Sequence, residues 1–236
     1  TNPFVESCEV KKNIAEILEF SQHQVKIMLN ELKLNNEDAR LQFPRSVEED
    51  GSLFLVSSRS WTSGFFSGVM WYLYAMTGSK EWRENAVAYT KKLEQEQWNT
   101  GTHDVGFIIN SSYGNGLKFA DKKEYKSTIV QTAKSLMKRF NPAIGCTRSW
   151  DWSKKWEFPV IIDNMMNLEL LFLATHLSGD STFYNAAVEH ANTTMENHFR
   201  EDYSSWHVVD YDSLSGGVIN KITFQGTNDS SAWARG

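Results

Sequence analysis

Proline is scarce in this 236-residue chain, with four, and cysteine is scarcer, with two. So few prolines leave long stretches free to run as uninterrupted helix. Two cysteines, Cys8 and Cys146, cannot build a disulfide framework and are expected as free buried thiols. Basic residues are in deficit, 24 against 29 acidic, and the net charge of −5 argues against a nucleic-acid partner, which wants a basic face. No apolar run reaches the roughly 18 residues that a membrane span requires. The longest candidate, Leu168 to Ala174, is far too short. Common catalytic signatures are missing too. No Gly-Lys-Ser/Thr follows Gly114-Asn115-Gly116, so that stretch is no phosphate loop. There is no Gly-x-Ser-x-Gly elbow, and no His-x-x-x-His or Cys-x-x-Cys pair to seat a metal. No metal site is expected from these spacings.

Aromatic residues, by contrast, are abundant: 9 Trp, 8 Tyr and 14 Phe make up 13% of the chain. They suit wide pockets that stack flat ligands such as sugars, or simply a bulky core. The length and the 41% hydrophobic content describe one soluble globular domain over residues 1–236. A chain of this size buries roughly 70% of the surface it exposes unfolded, so it needs no covalent staple.

Helical periodicity dominates the pattern. Ile14, Ile17, Leu18, Val25, Met28, Leu29 and Leu32 recur at three- and four-residue steps and predict an amphipathic helix over about 12–33. A mixed stretch over 47–60 carries a turn at Asp50-Gly51. Beyond it the chain repeats itself. Residues 71–90 and 172–191 share an apolar helix, a stop at Gly78 or Gly179, a polar turn and a second helix opening on Trp82 or Phe183. A weaker copy from Lys123 puts Tyr125 in the same place, and the spacings of 43 and 58 residues are those of helical hairpins.

Such hairpins bury their apolar faces only against neighbours. The more apolar or Gly-rich first helices (61–77, 105–118, 163–177) are expected inside a ring, and the charged second helices (81–97, 122–140, 181–198) outside. Long aromatic segments (98–104, 141–162, 200–228) precede inner helices and should gather at one rim, where chemistry is expected. An eighth helix signalled near Asp229 has no room to continue before Gly236, so the ring reads as incomplete.

Two aspartates stand where inner helices begin. Asp163 follows Trp150, Trp152, Trp156 and Phe158, and Asp104 follows Gly101 and His103. Either could cap its helix. A carboxyl desolvated by aromatics also suits a general acid, and paired carboxylates divide acid and base roles in enzymes that cleave sugars. His207 lies on an irregular stretch among aromatics. His176, His190 and His198 fall on hairpin helices, as core or surface side chains.

Six blocks in order resemble one family. They are Trp61–Gly68, His103–Phe107, Ser112–Gly116, Pro159–Asn167, His207–Asp212, and Gln225-Gly226 followed by Ser231–Gly236. Together they are similar to the unsaturated glucuronyl hydrolases, glycoside hydrolase family 88. The resemblance implies an all-α (α/α)6 toroid of hairpins, of which this chain would lack the C-terminal helices. It implies hydration of the vinyl-ether double bond of a 4,5-unsaturated uronic acid at the end of a lyase-generated glycosaminoglycan oligosaccharide. Asp163 would be the proton donor and acceptor, with Asp104 assisting. Trp61, His103, Trp150, His207, Gln225, Trp233 and Arg235 would bind substrate, Arg235 by pairing with its carboxylate. Trp152 and Trp156 compete with Trp150 for its place. Thr227 departs from the aromatic residue usual after Gln-Gly, which bears on the leaving-sugar side. The alternatives are a rhamnogalacturonyl hydrolase acting on pectin fragments and a non-catalytic carbohydrate-binding ring. A start at Thr1 rather than Met fits either a removed leader or a sequence that simply begins there, and a periplasmic location is expected over a cytoplasmic one.

Overall fold

The computed structural model describes residues 3–35, 38 and 40–230, without the side chains of 3–11 and 35. Trp233 and Arg235 lie outside the described residues. Helix α1 spans Pro3–Asn35 and contains the predicted amphipathic stretch. Three helical hairpins follow. The first is α2 (Ser63–Thr77) with α3 (Lys80–Lys91). In the second, α4 (Val105–Ile109) passes through a π-helical turn at Asn110–Gly114 into α5 (Asn115–Ala120), which returns as α6 (Lys126–Met137). The third is α7 (Asn164–Ser178) with α8 (Ser181–Asn197). These are spokes of the α/α toroid that the repeats predict. Gly78 (φ 68°) and Gly179 (φ 76°) end α2 and α7 in the left-handed conformation that glycine adopts without strain.

The core lies between inner and outer helices. Trp71 and Met70 of α2 pack with Trp82 and Ala86 of α3 and with Val25, Leu29 and Leu32 of α1. Ile108, Ile129, Leu136, Leu171 and Phe183 form the companion cluster in the other two hairpins. The two indole N–H groups of this first cluster are matched: Trp71 Nε1 donates to Thr90 Oγ1 (3.0 Å) and Trp82 Nε1 to Gln22 Oε1 (3.0 Å). Inner helices approach one another at glycine. A Cβ on Gly64 would strike the Ile108 carbonyl, and one on Gly106 would strike Asn167. Contact there is close enough for Phe107 N to donate to Asn167 Oδ1 at 2.8 Å. The opposite face of the inner helices carries Phe65, Val69, Tyr72, Met166 and Phe172, which are exposed among the described residues.

The segments expected to be irregular contain short strands. β1 (Phe43–Val47) and β2 (Leu53–Val56) form a hairpin around the predicted turn, with Gly51 at φ 87°. β3 (Phe140–Asn141) pairs with β4 (Cys146–Thr147). β5 (Pro159–Ile161), β6 (Val208–Tyr211) and β7 (Val218–Ile222) make an antiparallel sheet in that order. The sheet joins the segment before α7 to the segment after α8, and so fixes the rim. Cys146 is free and buried, and burial pushes its thiol up to about 12. No described helix is long and apolar enough to cross a membrane.

Candidate active site

The starts of the three inner helices and the β7 segment meet around one cavity of about 240 Å³. Trp61 enters it from before α2, Gly101 to Asp104 from before α4, and Ile161 and Asp163 from before α7. Ser149, Trp150 and Trp152 come from the loop after β4, and Phe224 and Gln225 from beyond β7. Asp104 and Asp163 therefore face the same space.

Neither aspartate spends its carboxylate on the helix it precedes, since neither side chain makes a capping hydrogen bond. His103 joins them instead. Its Nε2 lies 3.0 Å from Asp104 Oδ1 and 3.9 Å from Asp163 Oδ1. The His103 Nδ1 is buried without a partner, which a lone pair tolerates better than an N–H. Nε2 is therefore the nitrogen that donates to Asp104. Asp104 Oδ2 also accepts from Thr102 Oγ1 at 2.8 Å. Burial raises the Asp104 carboxyl, but the charge and hydrogen bond of His103, the Thr102 hydroxyl and distant Arg139 outweigh it. The net effect lowers it from the ordinary value. Asp104 thus stays ionised, while Asp163, only 6% exposed, sits deeper in the cavity wall.

Ser149 binds the two aspartate-bearing segments together. Its carbonyl accepts from His103 N (3.3 Å), its N–H donates to Pro159 O (2.8 Å), and its Oγ accepts from Ile161 N (2.9 Å). Arg139, also buried, donates to the carbonyls of Thr100 (2.6 Å) and Arg148 (2.8 Å) and to Asp151 Oδ2 (2.7 Å). Both are residues that no sequence motif singles out, because their role is to brace loops that are distant in sequence.

Two of the three competing tryptophans reach the cavity. Trp150 and Trp152 stack at 5.5 Å and both line the cavity, whereas Trp156 is buried edge-on against Trp150. Phe224, absent from the sequence-derived set, packs on Trp150 (5.7 Å) and Trp152 (5.5 Å). Trp61 closes the other side against Phe65 and Phe107. His207 stands one layer back from this wall. It is fully buried, its ring stacked on Phe224, and its Nδ1 accepts the backbone N–H groups of Phe224 (3.1 Å) and Gln225 (3.0 Å). It holds the strip that carries Gln225 and does not line the cavity itself. The described residues contain no cluster of acidic, His and Cys side chains fit to hold a metal ion.

No family profile matches the chain. Individual relatives do. An unsaturated glucuronyl hydrolase of Formosa agariphila is 48% identical over 197 residues, covering 82% of this chain and 49% of that protein. An unsaturated chondroitin disaccharide hydrolase of Streptococcus pyogenes serotype M1 is 27% identical over 219 residues, 89% of this chain and 54% of that protein. A crystal structure of an unsaturated glucuronyl hydrolase specific for heparin superposes with a TM-score of 0.83 at 42% identity, over 92% of this chain and 57% of that one. The chain thus spans about half the length of the relatives it matches. In sequence and in fold over that span, it belongs to the unsaturated glucuronyl hydrolase family.

Proposed function

We propose that the protein hydrates the C4=C5 double bond of an unsaturated uronic acid at the end of a glycosaminoglycan-derived oligosaccharide. The observation that carries this reading is the Asp104–His103–Asp163 cluster on a sugar-sized cavity walled by Trp61, Trp150, Trp152 and Phe224. Asp163, protonated, gives its proton to C4. Positive charge then builds at C5 and the ring oxygen, and water adds at C5 while the Asp163 carboxylate takes a proton from it. The donor is thereby regenerated. The C5 hemiketal opens to a ketone, and the C1 hemiacetal left by that opening releases the remaining sugar. The net change is addition of one water and loss of one glycosidic bond.

This sequence requires Asp163 to keep a proton that Asp104 has given up. Burial of Asp163 and the ionised carboxylate across His103 both favour that division, because two neighbouring carboxyls resist sharing negative charge. Ionised Asp104 then faces the developing positive charge, in a partly aromatic-walled cavity whose low polarity on that side strengthens the attraction. Gln225 and, in the family resemblance, Trp233 and Arg235 would orient the substrate. His207 would act on the substrate through the Phe224–Gln225 strip. No step calls for a metal or cofactor. A periplasmic site of action suits a protein fed by the products of polysaccharide lyases.

The double bond is conjugated with the uronate carboxylate, so turnover is followed as loss of ultraviolet absorbance. Unsaturated chondroitin or heparin disaccharides should be consumed, and in D2O the product should carry deuterium at C4. Preferential loss of a rhamnogalacturonan disaccharide would move the assignment to pectin fragments. Binding without turnover of any of these would make the ring a carbohydrate-binding module.

A further inference from the structure

A second and larger cleft, of about 680 Å³, opens on the same rim between the first and second hairpins. Arg40, Gln42 and Phe43 at the start of β1, Ser57 to Arg59 ahead of α2, and Lys92, Glu96, Trp98 and Asn99 after α3 supply most of its walls. Two strips separate it from the catalytic cavity. Arg59 is two residues from Trp61, and Asn99 Oδ1 accepts the N–H of Gly101 at 2.9 Å, so each strip has one end in each hollow.

The cleft is cationic in a protein that is anionic overall. Its one lining carboxylate, Glu96, is buried away from solvent, accepting from Ser58 Oγ (2.6 Å) and Asn99 Nδ2 (2.8 Å), while its cations are exposed. Arg40 is neutralised by Asp38 at 2.8 Å. Arg59 and Lys92, in contrast, form no salt bridge among the described residues. Lys92 is held over the ring of Tyr89, with Nζ 4.2 Å from its centroid, and burial lowers its ammonium group from the ordinary value. Beside these charges Trp98 leaves 64% of its surface open to solvent. A large exposed indole at the mouth of a polar cleft adds nothing to the core, but it offers a flat apolar face to the C–H groups of a sugar ring.

We infer that this cleft is an accessory binding site for an anionic oligosaccharide, with Trp98 as the platform and Arg59 and Lys92 as the partners of sulfate or carboxylate groups. The inference rests on the saccharide reading of the neighbouring cavity and extends it: a chain seated there would continue across the Asn99–Gly101 strip into the cleft. A lining without exposed charge would take any sugar, whereas two exposed cations outside any salt bridge, against one buried carboxylate, favour sulfated or uronate-rich ones.

The test reads binding and not turnover. Saturated heparin hexasaccharide, which has no double bond to hydrate, is titrated into the protein and followed by calorimetry and tryptophan fluorescence. The expected result is binding that weakens as salt rises. The double variant Arg59→Ala/Lys92→Ala should weaken it about five- to tenfold, the effect of losing two exposed ion pairs. Trp98→Ala should weaken it as well and remove the fluorescence change. Neutral maltohexaose should not bind the cleft, and turnover of an unsaturated disaccharide should be the same in the parent protein and in both variants. Hexasaccharide affinity unchanged in both variants, or no hexasaccharide binding by the parent protein, overturns the inference. Failure of disaccharide turnover alone, with cleft binding intact, strikes at the proposed reaction instead.

Discussion

The imidazole of His103 stands between the two carboxylates of the cavity, with Nε2 3.0 Å from Asp104 and 3.9 Å from Asp163. One buried ring thus ties together the starts of two neighbouring spokes. Its hydrogen bond goes to Asp104, so the environment of that carboxylate is set by a residue that need not touch the reacting atoms.

Replacing His103 tests this arrangement. Burial alone raises the Asp104 carboxyl, and His103 is the first of the groups that reverse it. In His103→Ala the carboxyl should therefore rise, and the acid limb of the pH–rate profile should move to higher pH. Turnover should fall roughly ten- to a hundredfold, the usual cost of misplacing a catalytic group. His103→Gln, which can still present an N–H, should shift the limb less. A loss of rate with an unmoved limb would mean that His103 only fills space.

The glycine contacts between inner helices make a second prediction. Gly106→Ala puts a Cβ onto Asn167, whose side chain is fixed by the Phe107 N–H. Overpacking at a buried helix contact costs about 1–3 kcal/mol. Urea unfolding should show the midpoint falling with little change in slope. Because Asp104 and Asp163 sit at the ends of these two helices, turnover should fall as well.

Stability should also depend on pH through histidines buried away from the cavity. Burial holds His190 down to about 3 and His198 down to about 4. An unfolded histidine takes up its proton near 6.5, so from there downward the unfolded chain binds more protons than the folded one. Stability is then fully present above about pH 6.5 and declines as pH falls toward those depressed values, by about 1.4 kcal/mol per pH unit for each histidine at most. His190→Gln should flatten the decline between pH 6.5 and 4.5. A urea midpoint independent of pH across that window would contradict the burial of these rings.

How far the sequence foretells this picture depends on the period of each element. Helices α2, α3, α6, α7 and α8 are legible because they run for three or more turns, and α2 and α7 end at Gly78 and Gly179, where the backbone takes the left-handed form. The strands are not. β3 and β4 are two residues each and β5 is three, too short for alternation to register. Of the site, the acids and aromatics that stand in contiguous blocks could be named, and the cavity draws on Trp61, His103, Asp104, Trp150, Asp163 and Gln225. Phe224, Ser149 and Arg139 carry no signal in the sequence, because what places them is the pairing of remote loops. His207 was expected against substrate, but the pairing of β6 with β7 turns it inward, behind Phe224.

The most direct test of the central claim is the turnover number of Asp163→Asn on an unsaturated chondroitin or heparin disaccharide, with circular dichroism showing an unchanged fold. The amide keeps the shape but cannot cycle a proton, so turnover should fall by about 10²–10⁴-fold, the span of general acid–base catalysis. An Asp163→Asn protein that retains turnover close to that of the parent would contradict the role assigned to this carboxyl and, with it, the proposed reaction.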